Sequence, residues 1–135
     1  MALRLTELVK RFHQGTQILR EWLGNDAVPV EQEKAEARAS VCVHCPKNYK
    51  ARWWESAVGA IADAIRRQIE VKNKISMKVS VENEIGMCRC CGCALPLKVF
   101  VPIGHIRNHI TAEHRACFQN INHPRGLQCW IENEL

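Results

Sequence analysis

The chain is short of aromatic residues other than tryptophan: its 135 positions hold three Phe and one Tyr beside four Trp. Stacked aromatic rings are therefore not expected to be the main support of its core. No stretch approaches the roughly 18 apolar residues of a membrane-spanning helix, so no span is expected. The opening Met1-Ala2-Leu3-Arg4-Leu5-Thr6-Glu7 has an acidic residue in its first turn and no uninterrupted apolar stretch. It lacks the form of a secretory signal. Also missing are a Gly-rich phosphate loop, a GxSxG elbow, an HExxH helix and a convincing pair of catalytic carboxylates. These absences point away from an enzyme and from a small-molecule substrate. The hydrophobic share of 47% and charged share of 24% are ordinary for a folded chain. The length suits one domain, or a small domain with an appended helical segment.

What stands in excess is cysteine, at eight residues. With no secretory signal the chain reads as intracellular, where clustered thiols hold metal more often than they form disulfides. Cys42-Val43-His44-Cys45 is a CxxC, and Cys88-Arg89-Cys90-Cys91-Gly92-Cys93 contains another, followed at once by Cys93. Two intervening residues let a tight turn present both sulfurs to one ion, and two such turns supply the four thiolates of a closed tetrahedral zinc site. Gly92 is expected to let the backbone approach the sulfurs.

Cys42, Cys45, Cys88 and Cys91 form the simplest ligand set. Adjacent Cys90 and Cys91 point differently, so at most one of them serves this ion. Cys93 and Cys129 leave open a substituted set, or a six-thiolate cluster with two zinc ions. A competing set joins Cys88 and Cys91 to His105 and His109 across a gap of 13 residues, close to two-cysteine, two-histidine finger spacing. Pro102 and Gly104 fall where the helix of such a finger would be established, which weakens that set. His13, His44, His114 and His123 read as surface or hydrogen-bonded histidines. The 42–45 motif also matches disulfide oxidoreductases, yet here a helix is expected before it and no βαβ unit surrounds it. A thiolate-saturated zinc has no open coordination position, so the metal reads as structural.

Leu5, Leu8, Phe12, Leu19 and Trp22 form one stripe of a helix that should stop near Gly24-Asn25. A second helix opens with Pro29 in its first turn and runs to about Ser40. A third, over roughly 52–73, places Trp54, Val58, Ile61, Ile65 and Ile69 on one face and Arg52, Asp63, Arg66, Arg67, Glu70 and Lys74 on the other. The period then changes to 2. Ile75, Met77, Val79 and Val81 read as a half-buried strand, and Leu95, Leu97, Val99 and Val101 as a second. Pro102 opens a short helix through His105 and His109, residues 120–126 form a loop, and residues 127–131 a last short strand. The expected fold is α+β, with N-terminal helices packed on a small zinc-ribbon-like antiparallel sheet. Residues 1–40 form the helical segment and 41–135 the zinc-binding α+β domain.

The net charge of +5 is not spread evenly. Residues 1–41 carry six charges of each sign and 79–135 five of each, whereas 47–78 carry eight basic and three acidic side chains. The basic ones are Lys47, Lys50, Arg52, Arg66, Arg67, Lys72, Lys74 and Lys78. With Trp53 free to stack on a base, this segment suits an anionic partner such as nucleic acid. The plainer alternative is a solvated helix face with Asp63–Arg67 and Glu70–Lys74 pairs.

Several runs taken together resemble small, mostly uncharacterised proteins of tailed bacteriophages and prophages. They are Trp22-Leu23-Gly24, Val28-Pro29-Val30, Ala35-Glu36-Ala37-Arg38-Ala39, Cys42-Val43-His44-Cys45-Pro46-Lys47-Asn48, Ile65-Arg66-Arg67-Gln68-Ile69-Glu70-Val71-Lys72-Asn73, Gly86-Met87-Cys88 with Cys91 and Cys93, Leu97-Lys98-Val99 through Pro102 and His105-Ile106, and Cys129-Trp130-Ile131. The likeness covers most of the chain from about residue 20. It implies six recurring cysteines, Cys42, Cys45, Cys88, Cys91, Cys93 and Cys129, with Cys90 and Cys117 peculiar to this chain. It also implies zinc and a place in the cytoplasm of a bacterial host or on a virion. The expected function is a non-enzymatic, metal-stabilised module that contacts nucleic acid through segment 47–78. The alternative is a protein-interaction or virion-assembly component that docks another phage or host protein, or its own copy, through the N-terminal helix.

Overall fold

Helix α1 (Leu5–Gly24) buries Ile18, Leu19 and Trp22 along its apolar stripe, as the spacing requires. The computed structural model describes residues 5–50 and 52–135, and for residues 5, 8 and 52–58 the backbone alone. The side chains of Leu5, Leu8, Arg52, Trp53, Trp54 and Val58 thus lie outside the described residues. Helix α2 (Gln32–Val43) starts later and ends later than expected, so that Cys42 sits in its last turn. Its inner face is Ala35, Arg38, Ala39 and Cys42. Strand β1 (Asn48–Tyr49) leads into the long helix α3 (Arg52–Asn73), which turns Ala62, Ile65 and Ile69 inward and packs on α1.

Strand β2 (Met87–Cys88) follows a 3-10 turn at Glu82–Glu84 and pairs antiparallel with β1, Asn48 opposite Cys88 and Tyr49 opposite Met87. The rest is short helices: α4 (Leu95–Lys98), α5 (Ile103–His109), α6 (Ala112–Gln119) and α7 (Trp130–Glu134). The fold is α+β, mostly helical, with a two-stranded antiparallel sheet. Residues of α1 and α2 share one core cluster with those of the C-terminal part, among them Trp22, Ala39, Val99, Phe100 and Ile131.

Three expected strands are corrected. Segment 75–81 is irregular chain ending in a turn; Met77 and Val79 are buried and Ile75, Lys78 and Ser80 exposed, but it joins no sheet. Side chains hold it instead: the Met77 N–H donates to Glu70 at 2.6 Å, and Ser80 donates to the Glu36 carboxylate from its N–H and its hydroxyl at 2.9 and 2.8 Å. Segment 95–101 is a helical turn with Pro96 in its first turn. Leu95, Leu97, Lys98, Val99, Phe100 and Val101 are all buried, so the apparent alternation reflected no two-sided strand. Residues 130–134 are helical, with Trp130 and Ile131 buried and Glu134 held by Arg38.

Gly92 has φ +78°, and a Cβ there would stand 1.7 Å from the Arg11 carbonyl oxygen. A Cβ on Gly15 would in turn meet the Gly92 carbonyl carbon at 2.2 Å. The two glycines let α1 lie directly on the 88–93 loop. Gly92 therefore serves the approach of a helix backbone, and the sequence-based role of clearing space for the sulfurs is corrected accordingly.

Candidate metal centre

Each CxxC is shaped by its own backbone. The Cys45 N–H donates to the Cys42 carbonyl at 3.1 Å and the Asn48 N–H to that of Cys45 at 3.0 Å, folding the first motif into a turn at the end of α2. In the second, the Gly92 N–H donates to the Cys88 carbonyl at 2.7 Å and the Cys88 N–H to that of Cys93 at 3.0 Å. The β1–β2 pairing and the Arg89 N–H on the Lys47 carbonyl, at 2.8 Å, bring the two turns side by side. Cys129, at the start of α7, completes the approach from a third segment.

Cys42, Cys45, Cys88 and Cys129 line one cavity of about 20 Å³, together with Lys98 and Trp130. That is room for a single ion or water. Cys91 and Cys93 lie beyond it against α1, beside Ile18 and Leu19, and the Cys93 thiol points to the Gly15 carbonyl at 3.7 Å. The fourth thiol of the cavity is thus Cys129, where the simplest sequence set had Cys91. Among the described residues, no three His, Cys, Asp or Glu side chains already stand in the geometry of a metal site.

The thiols are weak acids as they stand. Burial pushes the Cys42 thiol up, against the Trp130 indole N–H that donates to its sulfur at 3.3 Å. Burial also raises Cys45, and lifts Cys129 to about 11. Cys88 is raised by its hydrogen bond to Cys91 and by burial, and burial lifts Cys91 to about 11. Cys93 alone is lowered, by the hydrogen bond from Cys91. Buried thiols held protonated are poor nucleophiles, whereas a soft cation that displaces their protons gains several ligands at once.

The two cysteines set aside in the sequence are bonded to each other. Cys90 and Cys117 form a disulfide that ties the 88–93 loop to α6. The Arg11 guanidinium donates to the Arg89 and Cys90 carbonyls at 2.9 and 3.1 Å on the same loop. The two cysteines that the resemblance makes peculiar to this chain thus cross-link its own fold.

His105 and His109 face away from the sulfurs. His105 Nε2 is 2.9 Å from the Ile18 carbonyl, His109 Nε2 is 2.6 Å from the Glu21 carboxylate, and the two rings stack 4.1 Å apart. They do not join Cys88 and Cys91. His123 accompanies the thiol cavity, with Nε2 3.0 Å from the Val41 carbonyl. His114 sits in the capping box at the start of α6.

Two cations of the basic segment, Arg66 and Lys72, are paired with carboxylates. Arg66 pairs with Asp63 at 2.6 Å and with Glu82, Lys72 pairs with Asp26, and Lys50 donates to the Asn83 carbonyl. Lys47 is half-buried, while Arg67, Lys74 and Lys78 are exposed. Neither expected helical pair forms: Asp63 takes Arg66 in place of Arg67, and the Glu70 carboxylate accepts from the Met77 N–H. Arg52 and Trp53 are outside the described side chains. No helix of the described residues is long and apolar enough to cross a membrane.

Two buried cations escaped the sequence reading. Arg38, only 2% exposed, donates to both Glu134 oxygens at 2.8 and 2.6 Å and to the Val99 and Val101 carbonyls at 2.9 and 2.7 Å. Lys98, equally buried, donates to the Cys91 sulfur at 2.5 Å. The signal for Lys98 was a lone lysine inside the apolar run Leu95-Pro96-Leu97-Lys98-Val99-Phe100-Val101. No family model, no curated protein and no solved structure matches this chain.

Proposed function

We propose that the protein is a non-enzymatic, metal-stabilised binding module in which Cys42, Cys45, Cys88 and Cys129 hold one structural zinc ion. The observation that carries this is that four cysteines, from three segments far apart in sequence, line one small buried cavity. Zinc suits four sulfur ligands and needs no particular electronic geometry, so modest closure of the thiols around the ion gives a tetrahedral site. With four thiolates bound, no position remains for a substrate or an activated water, which makes the metal a clamp for the fold. The two cysteine turns joined by β1 and β2 are the zinc-ribbon-like element of this proposal.

The direct test is elemental analysis of protein purified without added metal, followed by Cys129→Ser. One zinc per chain that is lost in the variant supports the site, and folded wild-type protein without metal contradicts it.

For the module's partner we infer nucleic acid, through the exposed Arg67, Lys74 and Lys78, a smaller set than the eight basic residues of the segment. Three phosphate contacts correspond to a log–log salt slope of about −3 for duplex DNA. Binding with no salt dependence, or no binding at low salt, contradicts this contact. A docking role for α1 is less well supported, because Ile18, Leu19 and Trp22 are used in the core. The resemblance to tailed-phage proteins supports a site of action in the bacterial host or on the virion.

A further inference from the structure

Lys98 stands at the junction of the six remaining cysteines. Its ammonium carries three N–H donors and meets one described acceptor, the Cys91 sulfur, with the Phe118 and Trp130 rings 5.0 and 5.8 Å away. A lysine ammonium this deeply buried requires compensating negative charge close by. Cys42, Cys88, Cys91, Cys93 and Cys129 all interact electrostatically with it. The Cys88, Cys91 and Cys93 thiols also interact with one another, Cys91 with both of the others. Cys88 therefore links the cavity lined by four thiols to the pair beside α1.

Six thiols in such an arrangement resemble the ligand count for two metal ions. The lysine occupies the ground that the second would need. A metal ion bound to Cys91 would meet an ammonium already bonded to that sulfur, and two cations in contact inside a low-dielectric core repel strongly.

Resting on the four-thiolate site proposed above, we propose that Lys98 is the second cation of the six-cysteine cluster. Its ammonium takes the place of a second metal ion, and Cys91 and Cys93 serve the lysine while the ion bound by Cys42, Cys45, Cys88 and Cys129 stays single. Lys98 is thus a positioning residue that fixes the stoichiometry of the centre and offsets the negative charge of a tetrathiolate complex.

The test saturates the full chain with cadmium and with cobalt, removes excess ion, and reads bound ions by native mass spectrometry and thiolate ligation by the cobalt charge-transfer band. Wild-type protein is expected to retain one ion. Cys91→Ser and Cys93→Ser are expected to keep it with an undiminished band, whereas Cys129→Ser weakens the band. Lys98→Met, which removes the charge at similar volume, is expected to admit a second ion. Two ions in wild-type protein, loss of the ion in Cys91→Ser, or a folded Lys98→Met that still takes one would each overturn the proposal. Should Lys98→Met fail to fold, the wild-type and Cys91→Ser counts decide alone. A wild-type chain that takes no ion overturns the four-thiolate site as well, and so separates the two failures.

Discussion

Arg38 and Lys98 are buried to the same depth and flank the same indole, yet they are held in opposite ways. The Arg38 guanidinium lies 4.2 Å over the Trp130 ring and the Lys98 ammonium 5.8 Å from it. Around Arg38 the protein supplies a bidentate carboxylate and two backbone carbonyls, so the charge is satisfied by fixed oxygen acceptors. Around Lys98 it supplies sulfur. A guanidinium fork suits rigid cross-linking of α2, the 99–101 turn and α7, whereas an ammonium beside thiols is balanced only when some of those thiols are ionised, as they are around a metal. The first region is complete by itself, and the second would be completed by the proposed ion.

The largest expected effect separates the two regions outright. Chelation of the metal, or Cys88→Ser, should unfold the C-terminal part as seen by circular dichroism and proteolysis, since metal binding of this class contributes about 10 kcal/mol or more to folding. The Arg38 contacts should not rescue it. A chelated protein with an unchanged melting curve would break the comparison at its root.

Arg38→Ala comes next. It leaves the Val99 and Val101 carbonyls without their donor and Glu134 with Lys34 alone, and is expected to cost about 3 kcal/mol in urea denaturation, with the metal still bound. Loss of metal in this variant would mean that the two regions are one.

A smaller effect is expected from acid. Burial opposes the ionisation of Glu134, but hydrogen bonding and charge from Arg38, with help from Lys34, outweigh it and hold the carboxyl below its ordinary value of 4.5. The pair's contribution is therefore fully present above that value and is lost as pH falls through the lower folded one. The gap in urea midpoint between wild type and Arg38→Ala should narrow on going from neutral pH to below pH 4.5, and a constant gap would show that the pair contributes nothing by charge. Smallest of all, Lys72→Ala removes an exposed contact to Asp26 and should shift stability by no more than about 0.5 kcal/mol.

The periodic parts of the chain were legible in the sequence and the wholly buried parts were not. Helices α1 and α3 follow from apolar stripes whose other face meets water, and α5 from Pro102 and the residues after it. Segment 95–101 has no wet face, so its alternating Leu95, Leu97, Val99 and Val101 gave no information about period, and a helical turn aims Lys98 inward. Met77 and Val79 do alternate in burial with their neighbours, but alternation alone cannot tell a paired strand from an irregular chain pinned by Glu36 and Glu70.

In the site, CxxC spacing was enough to bring Cys42, Cys45 and Cys88 together, because local turns shape each pair. That Cys129 and not Cys91 lines the cavity beside them depends on where α7 returns, which no local pattern encodes. The Cys90–Cys117 bond and the role of Lys98 depend likewise on contacts across the fold. The basic run was legible as composition, but its pairing was not, since Asp26 and Glu82, which take Lys72 and Arg66, lie outside the segment.

The metal count of freshly purified, folded wild-type protein tests the central claim most directly. One zinc per chain, with four thiolates protected from alkylation by the metal, is the expected result. Folded protein that carries no metal, or that carries two ions with all six thiols protected, would contradict it.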